Sequence, residues 1–222
     1  MEAVRGVGAG EGRLARLRAV PGAKAAWLCG MAVFICVPYF GLQQGPWREP
    51  WLPPVTALDR AVAFDPRWLL PYLSIVVLVP LFPMLAERRE EVAHYVLGIV
   101  LLALPCFVCF ALWPVAGPRP EHSAGDLHAW LVGVDRTWNS MPSLHAALAS
   151  YSGLYGWHLL QRRLSQPARA SLAIGLTAWV GVILYATLAT KQHWALDLPP
   201  AIALGVLAHA AMVRSSLARP SA

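Results

Sequence analysis

Five residues in the second half of the chain have the types and spacing for chemistry on an anion: Arg119, His145, Lys191, His193 and Asp197. An imidazole can attack as a nucleophile or carry a proton, and a carboxylate held against one ring nitrogen decides which nitrogen keeps the lone pair. His193 and Asp197 stand four residues apart, a spacing that puts two side chains on one helical face. Singly, each has a bland reading: His145 as a structural histidine near a helix start, Arg119 as a loop charge. Two histidines, a carboxylate and two cations brought to one face exceed what a structural role needs.

What must position them follows from composition. The chain is 57% hydrophobic and 14% charged over 222 residues, enough for one domain but too apolar for a surface that water hydrates. Ten Trp, 19 Pro and 17 Gly fit a bilayer, where Trp favours the interface and Pro and Gly are tolerated in spanning helices. Six apolar segments approach the roughly 20 residues a helix needs to cross the hydrocarbon core: 26–43, 67–86, 92–113, 143–160, 171–189 and 197–213. The fourth and sixth are rich in Ala, Ser and Gly, which suits central helices in close contact. The sequence therefore predicts an all-α integral membrane bundle of six transmembrane helices over 26–214. A disordered basic arm is expected over 1–25 and a short tail over 215–222. A short interfacial helix is expected around Val55–Ala63.

The net charge of +6 points to membrane orientation rather than nucleic acid, because the basic residues are scattered between apolar runs and form no stripe. With the N-terminus inside, twelve Lys and Arg fall on the cytoplasmic side and six on the other, so both termini are expected in the cytoplasm. Arg119, the stretch 139–145 and the stretch 187–197 then converge on the non-cytoplasmic face. A cleaved signal peptide fits less well, since the first apolar run ends in Pro38-Tyr39-Phe40-Gly41 with no small-x-small site. Cys29, Cys36, Cys106 and Cys109 lie within apolar runs and read as buried small side chains, not as zinc ligands. His94, His158 and His209 fall toward the opposite side and receive no role. His122, Asp126 and His128 lie in the third loop, on the correct side to touch a head group.

Three stretches carry a family resemblance. Pro118-Arg119-Pro120, Pro142-Ser143-Leu144-His145 and Lys191-Gln192-His193-Trp194-Ala195-Leu196-Asp197 resemble, in order and spacing, the signature motifs of the type 2 phosphatidic acid phosphatase (PAP2) superfamily. The resemblance covers roughly residues 50 to 210 and implies a bundle of the PAP2/haloperoxidase-like type. Pro-Ser-Leu-His, Thr190-Lys191-Gln192-His193, and Leu58-Asp59 with Phe64-Asp65-Pro66-Arg67-Trp68 look most like the inositol-phosphoceramide-synthase-like branch. The chain departs from the family pattern at three places: Leu112 stands for a motif Lys, Ala186-Thr187 for Ser-Arg, and Leu144 for Gly.

The resemblance implies phosphoryl chemistry on a lipid phosphoester, with His193 as nucleophile, Asp197 holding it and His145 as acid and base. An anionic ester resists attack unless donors spread its charge. Arg119, Lys191, Thr187 and the amides around Ser143 and Leu144 are the candidates for that task. Ser140 as N-cap with Pro142 in the first turn would start the helix whose end receives the anion. No cofactor and no metal site are expected. Hydrolysis makes a phosphatase and transfer to an alcohol makes a head-group transferase. The reading from another class is a non-catalytic lipid-phosphate binder or transporter, which has no use for the full His145, His193, Asp197 set. Two prolines after Asp197 strain a helix running through His193, unless the helix begins only at Leu198.

Overall fold

Apolar runs this long leave backbone N–H and C=O groups that only helices can satisfy within one segment, and helices are what forms. The computed structural model describes residues 20–120 and 124–217, the side chains of 215–217 excepted. The expected arm lies outside the described residues up to position 19, as does most of the expected tail. Among the described residues nine α-helices follow in order: α1 (Pro21–Leu42), α2 (Ala57–Ala61), α3 (Leu69–Leu73), α4 (Ile75–Leu85), α5 (Arg89–Leu112), α6 (Asp126–Val134), α7 (Leu144–Leu160), α8 (Gln166–Ala189) and α9 (Leu198–Leu217). Short 3₁₀ turns at Pro66–Trp68 and Ala195–Asp197 lead into α3 and α9.

Among the described residues five stretches are long and apolar enough to cross a membrane: Pro21–Leu42, Pro66–Leu85, Arg89–Leu112, Gln166–Ala189 and Ala195–Arg214. The remaining expected span, 143–160, becomes α7, whose 17 residues fall short of that length. It sits at the centre, packed most extensively against α9 and then against α8, α4 and α5. Small residues make this possible: Ala146, Ala147, Ala149, Ser150, Ser152, Gly153 and Gly156 are buried or nearly so along α7. A Cβ on Gly205 of α9 would come within 2.8 Å of the Ala147 carbonyl, so the two backbones touch there. Since backbone cannot yield as a flexible side chain does, Gly205→Ala is expected to destabilise by about 1–3 kcal/mol. Thermal unfolding in detergent checks this, with Gly175→Ala, where a Cβ meets nothing within 4 Å, as the change that costs nothing.

Polar ties inside the bundle are few and paired. Tyr95 donates to the Val79 carbonyl at 2.7 Å and lies 2.7 Å from the Ser152 hydroxyl. Trp179 donates to Ser74 at 2.9 Å. At one end Arg163 joins Glu91 at 2.8 Å and Glu87 at 3.3 Å. There His94, His158 and His209 line a separate polar cavity of about 530 Å³. At the other end the loops knit together. Trp51, Val115 and Asn139 form isolated parallel bridges, and Gly117 N–H donates to the Thr137 carbonyl at 2.8 Å. Arg48 lies over the exposed Trp47 and Trp113 rings, 5.6 and 5.0 Å from their centroids.

Two expectations change. Cys106 is buried, but Cys29 and Cys36 are exposed, because α1 lies at the periphery and presents most of its surface outward. The interfacial helix shrinks to the five residues of α2, held by a reciprocal cap in which Thr56 and Asp59 exchange side-chain and backbone bonds.

Candidate active site

The 114–119 loop, the turn before α7 and the turn after α8 meet at the knitted end of the bundle. Helix α8 stops because Lys191 takes a left-handed conformation (φ 52°). Gln192 N–H then returns to the Thr187 carbonyl at 3.1 Å and Lys191 N–H to the Leu188 carbonyl at 3.1 Å, the paired closure of a Schellman end. A β-carbon makes that conformation costly, and Lys191 is held in it by its own ammonium, which donates to the Asp59 and Val62 carbonyls at 2.9 and 2.5 Å. His193 N–H also donates to the Thr187 carbonyl at 3.2 Å, so the turn delivers the imidazole into the bundle.

His193 is 6% exposed, and its Nδ1 lies 3.1 Å from the Ser140 carbonyl and 3.3 Å from Asp197 Oδ2. Both are acceptors, so Nδ1 carries the proton and the Nε2 lone pair is left for attack. Asp197 is fully buried. Its Oδ2 also accepts from the Trp194 N–H at 2.8 Å and from the Ser140 hydroxyl, and its backbone carbonyl accepts from Ser143 N–H at 3.2 Å. The carboxylate therefore ties the stretch before α7 to the stretch before α9.

The i, i+4 relation of His193 and Asp197 is real but not helical. A turn and the 3₁₀ segment Ala195–Asp197 connect them, and α9 begins at Leu198. Pro199 and Pro200 thus fall in a first turn, where a missing N–H costs nothing. A second correction concerns the start of α7. Its N-cap is Ser143, whose hydroxyl accepts from Ala146 N–H at 3.1 Å, not Ser140. Pro142 disfavours helix for Met141, which pushes the start downstream.

His145 follows one residue into α7. Its Nε2 lies 2.9 Å from the Tyr72 carbonyl, and its ring stacks on the Tyr72 ring with centroids 4.0 Å apart and planes at 14°. A carbonyl only accepts, so Nε2 carries the proton and Nδ1 is the basic nitrogen. His145, His193 and Leu144 line one cavity of about 550 Å³, whose other end is Trp27, Leu28, Met31, Val76, Val79 and Ile99. Within the described residues the Leu144 and His145 N–H groups, first in α7, have no hydrogen-bond partner. They are the free donors of a helix N-terminus.

The remaining expected residues are placed differently. Thr187 is buried and donates its hydroxyl to the Leu184 carbonyl at 2.7 Å. Arg119 donates to the Asp135 carbonyl at 2.7 Å, the Pro118 carbonyl at 3.0 Å and the Lys191 carbonyl at 3.4 Å. Arg119, Lys191 and Thr187 therefore brace the loops around the cavity, and none is among its lining residues. Leu112, at the place of a motif Lys, is exposed at the end of α5. Of the third-loop residues, His128 is buried against the Phe64 ring, 5.1 Å between centroids, with its pKa lowered by burial and by the Arg119 charge. His122 lies outside the described residues.

Sequence reasoning missed Ser140 as a partner of Asp197, and Tyr72 as the support of His145. It noted Asp59 only within a longer resemblance. Asp59 accepts from the Ala195 N–H at 2.8 Å and so pins the segment two residues after His193. Burial raises its pKa, but the bonds from Thr56 and Ala195 and the Lys191 charge outweigh this and set it below the usual carboxylate value. The Thr56-x-x-Asp59 capping box was its signal in the sequence.

The family model described as the PAP2 superfamily matches residues 91–220. No curated protein and no solved structure matches the chain.

Proposed function

The chain belongs to the PAP2 superfamily, whose members are generally phosphatases or phosphotransferases, and from that premise we propose that it moves a phosphoryl group of a membrane lipid through a phosphohistidine at His193. The observation that carries this reading is the cavity itself. One end is apolar side chains between α1 and α4, and the other is two imidazoles with defined tautomers. That polarity fits an amphiphile with its chains in the bundle and its phosphate at the histidines.

Phosphate oxygens take the Leu144 and His145 N–H groups at the α7 end. His193 Nε2 attacks phosphorus in line as the bond to the leaving oxygen breaks, and that oxygen takes a proton from His145 Nδ1, which the ring has taken up from solvent as the anionic substrate binds; His145 is left neutral with its remaining proton on Nε2. The proton on His193 Nδ1 stays shared with Asp197 and Ser140, which stabilises the charge the ring acquires. Water or an alcohol then gives a proton to His145 Nδ1 as its oxygen attacks phosphorus, and the P–N electron pair returns to His193.

Six crossings are part of the proposal, with α7 as the sixth. Its 17 residues span about 26 Å at the usual rise, close to the hydrocarbon thickness, and its neighbours shield it from lipid. Both termini then lie in the cytoplasm with the site on the other side, as the distribution of Lys and Arg favours. The inositol-phosphoceramide-synthase-like motif form supports transfer to an alcohol as a second reading. Labelled phospholipids offered to the purified protein with and without inositol separate the cases. Free phosphate or phosphorylated head group means hydrolysis, an inositol-dependent product means transfer, and no product from any lipid means a binder.

A further inference from the structure

Of the described residues lining the cavity that holds His145 and His193, one bears a formal charge, and it is negative: Asp135. Arg119 and Lys191 are turned onto backbone carbonyls. Leu112 and Thr187 stand where the family pattern has cations. The free donors at the start of α7 contribute an end charge of about half a unit. A dianionic phosphomonoester would thus meet no Lys or Arg among the described lining residues, with Arg119 turned to the Asp135 carbonyl behind them, and would meet, across the Tyr72 ring, a carboxylate. Like charges in a site of low dielectric repel strongly.

Asp135 is not a chance surface residue. It is the C-cap of α6, its Oδ1 accepts from Tyr39 at 2.7 Å and from Gln43 at 2.7 Å, and Gln43 in turn accepts from Arg136 N–H at 3.1 Å. The Tyr72 hydroxyl faces the same carboxylate, while the Tyr72 ring stacks on His145. One phenol ring therefore separates the proton-carrying imidazole from a fixed anion. A structural tie between α1 and α6 would be served equally by an amide, which leaves the charge itself to be accounted for.

We propose that Asp135 determines specificity: it receives the hydrogen-bond donors of a head group, ammonium or hydroxyl, so that the substrate is a phosphodiester lipid carrying one negative charge and not a phosphomonoester carrying two. This rests on the lipid phosphoryl-transfer reading above. A diester halves the charge the weak cradle must hold, and Asp135 lines the same cavity as the two imidazoles, within which the donors of its head group can meet the carboxylate.

The test is the ratio of kcat/KM between phosphodiester lipids and phosphatidic acid, measured in wild type and Asp135→Asn in mixed micelles. Asn keeps the Oδ1 acceptor for Tyr39 and Gln43 and removes the charge, with an NH2 in place of Oδ2. Phosphatidylethanolamine, its N-acetylated form and phosphatidylinositol separate ammonium from hydroxyl recognition. Wild type should favour at least one donor-bearing diester over phosphatidic acid, and Asp135→Asn should lower that ratio by about tenfold or more. Tyr39→Phe, which leaves the charge in place, should not change it. If Asp135→Asn does not fold, the wild-type preference decides alone. Preference for phosphatidic acid, or a parallel change on all substrates, overturns this inference and leaves phosphoryl transfer standing. No product from any lipid overturns both.

Discussion

Replacing His193 by alanine should reduce lipid turnover to background, a loss of at least about 10⁴-fold in kcat, the scale on which removal of a nucleophile acts. Among the described cavity-lining residues the other histidine is His145, whose ring is held by the Tyr72 carbonyl and, unlike His193, has no carboxylate bonded to it to support a positive charge. The fold should survive, because among the described residues the buried ring makes two hydrogen bonds, both from Nδ1, to the Ser140 carbonyl and to Asp197. The α8 turn that presents it is built from backbone bonds and Lys191. Turnover of a labelled phospholipid, with the elution profile in detergent as the control for folding, gives the answer. An alanine variant that is folded and fully active would remove the nucleophile from the scheme.

His145→Ala should cost about 10² to 10⁴ in kcat, the range for loss of a positioned acid and base, and the loss should depend on the leaving group. A lipid alkoxide or head-group alkoxide needs a proton as it departs, whereas a nitrophenolate does not. The variant should therefore regain much of the lost rate on a nitrophenyl phosphodiester. Equal losses on both substrates would mean that His145 only shapes the cavity, through its stacking on Tyr72. That comparison separates proton transfer from packing, which turnover of one lipid does not.

The parts legible in the sequence are those that depend on neighbours along the chain. His193 and Asp197 are four residues apart, His145 closes a four-residue motif, and five of the six expected spans are continuous apolar runs. What was hidden depends on distant backbone. The Tyr72 carbonyl that sets the His145 tautomer is 73 residues away, and Ser140 is 57 residues from Asp197. A carbonyl contact leaves no mark in residue type. The contacts of Arg119, Lys191 and Thr187 were hidden for the same reason: charge and position in the sequence single these residues out, but the carbonyls to which their side chains turn leave no mark in residue type. The prolines after Asp197 were the reverse case, an apparent obstacle that disappears once α9 starts at Leu198.

The covalent intermediate at His193 is the claim on which the mechanism stands. Wild-type protein incubated briefly with a phospholipid labelled at phosphorus, quenched in base and digested, should yield one labelled peptide spanning His193, stable to alkali and lost in acid as a phosphoramidate is. The label should vanish on chase with unlabelled lipid and be absent from His193→Ala. Rapid turnover with no label on that peptide, or a label that persists in His193→Ala, would contradict a phosphohistidine at this position.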